Sequence, residues 1–393
     1  MVKWTKFLLI HDWTPDKQSD KPEAVKGPGE AVLSYCWEYK CLPPSTKRRE
    51  ALSVTPCSSL DEMFKPKGKM GYPVIFQIED IYYPALSAVG VPVNLVAIVI
   101  LSRGKCGLSK CISCYLVGMA VADLLVVITD PILTRVGQIY FRNSFLFITP
   151  VCRPIKYLGY AATVVSVWLT VAFTFDRFVA ICCENLKTKY CTEKMAAVVI
   201  GTVSVLGCSE SVPWYFIYQP YLTIDNVPRD CIFKVIFRTS PVWAAFELFH
   251  LILTPCVPFF LILLLNVLTV RRILVASRVR RGLWGRSNGE NHKDPEMESR
   301  KKSIILLFSV SGSFILLWVT QVVNNIYRRI TDTRYYNSYT DPRYITESTS
   351  RILQLLSSCT NTCIYVLTQA KFREELKNAV KYPLNLIVKL VKS

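Results

Sequence analysis

The stretch VAFTFDRFVAICC, residues 171–183, decides how the rest of the chain is interpreted. Near the end of this apolar run an acid and a base stand side by side, Asp176 and Arg177. At a protein surface such an ion pair contributes only about 0–1 kcal/mol to stability. Its role therefore depends on whether the surrounding chain is soluble or lies in a membrane.

The composition favours a membrane protein. Of the 393 residues, 51% are hydrophobic and 19% are charged, whereas soluble domains carry about 25% charged residues. The net charge of +18 raises the possibility of nucleic-acid binding. However, the basic residues cluster in short polar stretches between apolar runs, and no basic stripe interleaved with aromatic residues occurs. Nucleic acid is therefore not an expected partner.

Seven apolar stretches have about the length, roughly 20 residues, that crosses the hydrocarbon core of a bilayer. They cover residues 79–102, 112–134, 152–182, 195–218, 241–270, 303–327 and 347–369. We therefore predict an all-α membrane protein whose residues 71–370 form a bundle of seven transmembrane helices. Lys and Arg are concentrated in 103–110, 187–194, 271–302 and 371–381. This bias places the C-terminus in the cytoplasm and the N-terminus outside.

The two ends of the chain differ from the bundle. Residues 1–70 are polar, contain no recognisable signal peptide and are predicted to be a disordered extracellular segment. In residues 371–393, Phe372, Leu376 and Val380 recur beside basic residues. This pattern predicts a short amphipathic eighth helix that contacts membrane lipids at the inner leaflet. Because the tail has only two hydroxyl side chains, Tyr382 and Ser393, we expect weak recruitment of arrestin, which needs clustered phosphates.

Asp123 is a carboxyl group in the middle of the second apolar stretch. Burial of such a group is expensive, so it points to a function. Four polar residues in other spans are candidates to meet it: Asn94, Ser166, Ser358 and Asn361. One interpretation is a protonated carboxyl hydrogen-bonded between helices. The other is a small hydrated cavity for a sodium ion, since hard cations prefer oxygen ligands.

Two further patterns bear on chemistry. Cys152 begins the third span and Cys231 lies in the connection 219–240, both on the outer, oxidising side, so we predict a disulfide between them. The three histidines are widely separated, and no zinc-protease motif or phosphate-binding loop occurs. We therefore predict neither an enzyme nor a cofactor other than a possible allosteric sodium ion.

From about Gly71 to its end the chain resembles the rhodopsin-like (class A) G-protein-coupled receptors. The markers are Asn94, MAVAD ending at Asp123, Cys152 placed 25 positions before Arg177, Cys231, Pro258, Phe314 with Trp318, and NTCIY at 361–365. In finer texture, VWLTVAFTFDRFVAICC and LLSSCTNTCIY are most similar to fish sequences grouped with probable G-protein-coupled receptor 139, an orphan-type receptor. The chain departs from the family pattern in several places: Phe178 replaces Tyr, Thr320 and Thr362 replace Pro, Asn266 replaces Tyr, and the usual Trp of the fourth span is missing.

The resemblance implies a plasma-membrane receptor that binds an extracellular ligand and activates heterotrimeric G proteins. It implies that Arg177 pairs with Asp176 at rest and lines the G-protein cavity once the sixth helix moves outward. Phe178, Asn361 and Tyr365 are assigned to the same switch. The alternative is a seven-helix transporter or channel, for which internal repeats or paired broken helices would be expected.

The ligand is expected between the outer halves of the helices. On the sixth helix, Trp318, Gln321, Asn325 and Arg328 fall on one face. The residues expected to face them are Tyr160, Glu247, His250, Arg351 and Gln354. A pocket with both Arg and Glu suits a zwitterion such as an amino acid or a short peptide. The alternative is that Arg328, Arg351 and Glu247 extend to water at the membrane interface.

Overall fold

The computed structural model describes residues 73–224, 226–284, 295–331, 340–379 and 381. The predictions for residues 1–70 and for the end of the tail lie outside these described residues. The described part is dominated by long helices, which we number in chain order. Their bounds are α1, Val74–Ser102; α2, Lys110–Val127 continued by the π-helical Ile128–Val136 and by Gly137–Tyr140; α3, Thr149–Cys182; α4, Glu193–Phe216; α5, Pro241–Leu251 continued by the π-helical Ile252–Cys256 and by Val257–Trp284; α6, Pro295–Thr331; α7, Pro342–Thr368; and α8, residues 370–379.

Several helices begin where a polar side chain caps the first turn. Ser109 accepts a hydrogen bond from the Ile112 amide before α2, and Thr192 accepts one from the Met195 amide before α4. Asp341 does the same for the Arg343 amide at 2.9 Å before α7. These caps satisfy amides that have no partner within the helix.

Among the described residues, six helices are long and apolar enough to cross a membrane, namely α1 to α6. The seventh, α7, spans 27 residues and packs against α1, α2 and α6. α5 and α6 extend beyond the predicted stretches, since α5 continues to Trp284 and α6 begins at Pro295. Residues 282–284 and 295–299 therefore belong to these two helices and not to the connection between them. Arg, Lys and Glu are good helix formers, so a helix continues past its apolar run.

The bundle is built around α3, which packs against α2, α4, α5 and α6. Its inner residues Leu169 and Phe173 join one large apolar cluster with Leu116 and Met119 of α2. Close approach of α1 to its neighbours depends on Gly90, where a Cβ atom would lie 2.7 Å from the sulfur of Cys359 in α7. A larger residue at this position would push α1 outward.

Two helices widen into π-helical turns at prolines, Pro131 in α2 and Pro255 in α5. A proline inside a helix removes an amide donor and collides with the preceding turn, so the backbone rearranges locally. In α2 the Thr134 hydroxyl donates to the Thr129 carbonyl at 2.8 Å, which satisfies part of the disturbed backbone. Both distortions lie in the outer half of the bundle.

The connection between α4 and α5 forms two short antiparallel hairpins. β1 (Tyr218–Gln219) pairs with β4 (Ile232–Phe233), and β2 (Leu222–Ile224) pairs with β3 (Val227–Arg229). The predicted disulfide is present: Cys152 and Cys231 are bridged, with their Cα atoms 6.3 Å apart. The bridge fastens this connection to the outer end of α3.

α8 follows α7 directly, and its residue Phe372 packs against the bundle. The Phe372 side chain is fully buried and its ring lies edge-on to that of Tyr365, 5.9 Å away. Arg373 donates to the carbonyls of Val366 and Leu367 at the end of α7. The Tyr365 ring at the end of α7 thus gives Phe372 an aromatic partner inside the bundle.

Candidate functional site

The outer half of the bundle encloses a cavity of 310 Å³. All nine residues proposed from the sequence line it: Tyr160, Glu247, His250, Trp318, Gln321, Asn325, Arg328, Arg351 and Gln354. They reach it from α3, α5, α6 and α7, and residues of α2 and α4 complete the wall. This size is in the range of small-molecule and short-peptide pockets.

A chain of charges runs along the α2, α6 and α7 side of this cavity. Arg135 lies 3.4 Å from Asp130, and Arg351 contacts the other oxygen of Asp130 at 3.9 Å. Arg351 also lies 4.0 Å from Glu347, which Arg328 contacts at 2.8 Å. Acids and bases thus alternate along this wall, and the side chains of Arg328 and Arg351 are 32% and 39% exposed.

Lys156 of α3 adds a further positive charge to this side of the cavity. It lies close enough to Asp130 to interact electrostatically but forms no ion pair with any described residue. Counted with Arg135, Arg328, Arg329 and Arg351, the cavity wall carries five cations, and the carboxylates beside them are those of Asp130, Glu347 and Glu79. The cavity wall here carries a surplus of positive charge.

The sequence interpretation missed Asp130, Arg135 and Lys156. A signal existed, since all three are charged residues within or at the edge of apolar stretches. The sequence does not show that the three residues lie close together. They are on two different helices, α2 and α3, which are brought together by packing. Asp130 and Arg135 both lie in the π-helical segment Ile128–Val136. The wider turn brings the two side chains, five positions apart, within hydrogen-bonding distance.

The α4 and α5 side of the cavity is different in chemistry. Trp214 of α4 stacks on Tyr160 with ring centroids 4.1 Å apart, and His250 packs edge-on against Trp214 at 5.0 Å. The imidazole Nδ1 of His250 lies 2.7 Å from a carboxylate oxygen of Glu210. Glu247, an exposed acid, also lines this wall. This side therefore offers aromatic surface and negative charge.

The connection between α4 and α5 closes one edge of the cavity through Tyr218. Burial, together with the neighbouring Tyr160 hydroxyl, raises the pKa of Tyr218 well above its ordinary value. The Tyr218 hydroxyl is hydrogen-bonded to the Tyr160 hydroxyl, which joins this connection to α3. Next to the disulfide, burial also raises the pKa of Asp230, against the lowering effect of Arg142 and Arg229.

Deeper in the bundle, the structure brings three of the proposed sodium-site residues together. Ser166 donates to one oxygen of Asp123 at 2.6 Å, and Asn361 donates to the other at 2.8 Å. Asp123 is 1% exposed, and it borders a cavity of 20 Å³. This cavity holds about one water-sized particle. Both carboxylate oxygens face neutral donors.

Two other candidates take part less directly. The Asn94 amide donates to the carbonyls of Gly90 and Ser358, both at 2.9 Å, and its described bonds do not reach Asp123. Thr362, which stands where the family has proline, donates to the Val93 carbonyl at 3.1 Å. These bonds join α1 to α7. Ser358 therefore contributes a backbone carbonyl to this joint, and no described bond connects its hydroxyl to Asp123.

Trp318 links the outer cavity to the Asp123 region. It borders both cavities, its ring stacks on Phe314 at 5.1 Å, and its indole N–H donates to Ser357 of α7 at 3.1 Å. A ligand that displaces the indole would break a bond between α6 and α7. Lower in the bundle Asn266 and Ser311 exchange hydrogen bonds between α5 and α6.

At the far end from the cavity, Arg177 is 5% exposed and Asp176 is fully buried. The two form an ion pair in which the guanidinium Nε donates to the Asp176 carboxylate at 2.9 Å. The other Asp176 oxygen accepts from the Cys111 thiol of α2 at 3.2 Å. Arg177 also donates to Ser303 of α6 at 3.3 Å. The pair is thus buried and connected to α2 and α6, unlike a surface ion pair.

The remaining residues assigned to the switch lie nearby but contact different partners. Phe178 is half-buried, with its ring 6.5 Å from that of Phe175. Tyr365 is almost fully buried, and its hydroxyl has no hydrogen-bond partner among the described residues. A buried hydroxyl without a partner is costly, so rearrangement of α7 that supplied one would be favoured.

Comparison with known proteins agrees with this geometry. Residues 93–365 match the family described as 7 transmembrane receptor (rhodopsin family). The chain is 24% identical to the thyrotropin-releasing hormone receptor of Bos taurus over 308 residues, which cover 73% of this chain and 74% of that receptor. It is 24% identical to the FMRFamide receptor of Drosophila melanogaster over 305 residues, covering 73% and 51%. The human G-protein coupled receptor 182 is 23% identical over 238 residues, covering 60% and 53%.

Proposed function

The chain belongs to the rhodopsin family of seven-transmembrane receptors, and we propose that its outer cavity binds a short peptide carrying a carboxylate. Membership makes it a multi-pass membrane receptor that responds to an extracellular ligand and couples to heterotrimeric G proteins, and not an enzyme. The transporter or channel alternative is thereby set aside.

The charge distribution in the cavity supports this choice of ligand. Five cations and three carboxylates lie on this side of the cavity, and Lys156 of α3 forms no ion pair with a described residue. A ligand carboxylate would complete that cluster with charge-assisted hydrogen bonds. On the opposite side Glu247 offers a partner for an ammonium group, and Trp214 with Tyr160 offers a stacking surface. A zwitterionic peptide or amino acid fits both sides.

The names of the relatives favour a peptide over a single amino acid. The thyrotropin-releasing hormone receptor and the FMRFamide receptor are named for peptide ligands. At 24% identity these relatives do not specify which peptide this chain binds. The proposal of a carboxylate therefore rests on the charged residues of this chain's own cavity. The finer similarity to the fish group around probable G-protein-coupled receptor 139 stays a prediction from the sequence.

The proposed mechanism connects this cavity to Arg177. The ligand contacts Trp318, whose hydrogen bond to Ser357 holds α6 against α7. When that bond breaks, α6 moves outward and Arg177 loses Ser303. Arg177 then leaves Asp176 and lines the cavity for the G protein. The observation that carries this proposal is the buried Arg177 bonded to both Asp176 and α6.

The inward orientation of this end follows from the basic residues. Lys187, Lys189 and the run from Arg271 to Lys302 lie on the side of Arg177 in the sequence topology, which favours a cytoplasmic location and an extracellular N-terminus. The same side carries α8 and its basic residues, which suit contact with anionic lipids. Weak arrestin recruitment follows from the scarcity of hydroxyl residues in the tail.

Asp123 is proposed to hold a sodium ion in the resting receptor. Asp123, Ser166 and Asn361 already converge on a cavity of 20 Å³, and their oxygens are the ligand type that sodium prefers. Movement of α6 and α7 would close this space. Sodium and agonist would then oppose each other by linkage.

The test is an activation screen. The receptor is expressed with representatives of each G-protein class and exposed to matched pairs of peptides that differ only in a free or an amidated C-terminus. Activation by free-acid members and loss of activation on amidation support the proposal. Preference for the amidated members would refute the carboxylate assignment while leaving the receptor function intact.

A further inference from the structure

The contact between Arg177 and Ser303 joins the proposed coupling switch to α6 through a hydroxyl group. We propose that Ser303 is a regulatory phosphorylation site and that its phosphate locks α6 to Arg177 in the resting position. This inference rests on the proposed function of Arg177. It assigns Ser303 a role inside the bundle, distinct from the capture of arrestin.

The geometry places one edge of the Arg177 guanidinium in reach of Ser303. Nη1 lies 3.3 Å from the Ser303 hydroxyl oxygen, while Nε lies 2.9 Å from Asp176. Arg177 is buried and Ser303 is half-buried. Two edges of the same guanidinium are therefore used, one by a carboxylate and one by a neutral oxygen.

The neutral contact is the weaker of the two. A hydrogen bond to an uncharged group contributes about 0.5–1.5 kcal/mol, and one to a charged group about 1.5–3 kcal/mol. Residues 301–331 contain neither Asp nor Glu, so this part of α6 has no acid of its own to offer Arg177. The resting contact is consequently easy to break.

A phosphate on Ser303 would supply the missing negative charge. A phosphoserine carries about −1.5 to −2 charges and three acceptor oxygens, and guanidinium groups bind phosphate through two parallel hydrogen bonds. Because the Ser303 oxygen already lies next to Nη1, the phosphate needs only a side-chain rotation to engage Arg177. The expected effect is a tighter closed state.

The sequence before Ser303 suits a protein kinase with an acidic substrate groove. Arg300, Lys301 and Lys302 precede it directly, and the side chains of Lys301 and Lys302 are exposed. Complementary charge is what brings such an enzyme to its substrate. In the reaction the Ser303 oxygen forms a bond to the γ-phosphorus of ATP, the bond to ADP breaks, and the hydroxyl proton is released.

Access to Ser303 should depend on the state of the receptor. In the closed form its hydroxyl faces Arg177, whereas outward movement of α6 would expose it to a kinase. Phosphorylation would then follow activation and return α6 to Arg177. This sequence of events amounts to feedback inhibition within the receptor.

The experiment uses the full-length receptor purified in lipid nanodiscs, together with a kinase selective for serine after basic residues and with ATP. Phosphopeptide mass spectrometry measures occupancy of Ser303, with Ser303→Ala and Ser299→Ala as controls. Hydrogen exchange of residues 301–307 measures how firmly α6 is held, without any ligand or G protein. We expect phosphate on Ser303 and about tenfold slower exchange in this segment, in wild type and Ser299→Ala but not in Ser303→Ala.

Two further variants separate charge from size. Ser303→Glu should slow exchange and lower affinity for nucleotide-free G protein, while the neutral isostere Ser303→Gln should do neither. Equal exchange and equal G-protein affinity in the Glu and Gln variants would overturn the proposal, and so would unchanged exchange in wild type once Ser303 carries phosphate. Failure of the proposed function has a different signature: wild type would bind no G protein of any class, although exchange in α6 would still respond to the phosphate.

Discussion

The two ends of the helix bundle differ in how their charged side chains are balanced. At the inner end Asp176 and Arg177 pair one to one, and they are 0% and 5% exposed. At the outer end five cations face the three carboxylates of Asp130, Glu347 and Glu79 beside a cavity of 310 Å³. The charges of the inner pair cancel and are buried, whereas the outer end is open to a cavity and carries an excess of positive charge.

This difference explains what each end can do. A buried ion pair with balanced charge is stable until one partner can form a more favourable interaction elsewhere. This property suits it to act as a switch. An unbalanced cluster facing a cavity gains from a bound anion, which is the property of a receptor site. Variants that change one end while the other is monitored therefore separate the two roles.

The largest effect is expected at the inner end. Arg177→Ala should abolish G-protein activation, because no other described side chain replaces its bonds to Asp176 and Ser303. Surface expression and ligand binding should be largely retained, because the cavity lies at the other end. Nucleotide exchange on the G protein, measured at matched surface levels, checks this. Undiminished exchange would contradict the assignment of Arg177.

The next effect concerns the closure of the outer end. Replacing both Cys152 and Cys231 by serine should lower the free energy of unfolding by about 4 kcal/mol, since the bridge closes a loop of 79 residues. Thermal unfolding of the purified receptor measures the loss. Cys208→Ser is the matched control, because this exposed cysteine of α4 is free. Equal melting temperatures for the double variant and the control would contradict the prediction.

A smaller effect is expected from removing Lys156, a cavity cation that forms no ion pair with a described residue. Lys156→Met should weaken binding of a free-acid peptide agonist about tenfold, the loss of one charge-assisted contact. Coupling efficiency at saturating ligand should stay the same. Arg153→Met serves as control, because Arg153 lies on the same helix but does not line the cavity. A matching loss in both variants would mean that the effect is not specific to the cavity.

The smallest effect is expected at Asp123, between the two ends. In wild type, sodium should lower agonist affinity about fivefold compared with a bulky cation, because it favours the resting arrangement. Asp123→Asn should remove this difference, since Ser166 and Asn361 would lose the carboxylate they share. Radioligand competition in the two salts measures it. Identical sodium sensitivity in wild type and variant would show that the ion does not bind here.

The sequence anticipated much of the cavity because its residues follow helical spacing. Trp318, Gln321, Asn325 and Arg328 recur on one face of α6, and they do line the cavity. Such a pattern is local, so it can be found without knowing what faces it. Asp130, Arg135 and Lys156 do not belong to one periodic set. They meet only because the π-helical turn of α2 and the packing of α3 bring them together.

At the inner end, too, local features were predictable from the sequence and contacts between helices were not. The Asp176–Arg177 pair is adjacent in sequence and was predicted. The contact of Arg177 with Ser303 joins residues on α3 and α6 and was not predicted. Likewise Thr362 was noted only as a departure from the family pattern, while the structure gives its hydroxyl the Val93 carbonyl on α1 as a partner.

By itself the sequence determined the class of the protein and the number and order of its helices. This was possible because each apolar stretch must satisfy its own backbone hydrogen bonds within the membrane, which makes the helix a property of the segment. Only the tertiary structure decided which charges are balanced and which remain to meet a ligand. Electrostatic balance depends on distances between side chains of different helices, and those distances are fixed by packing.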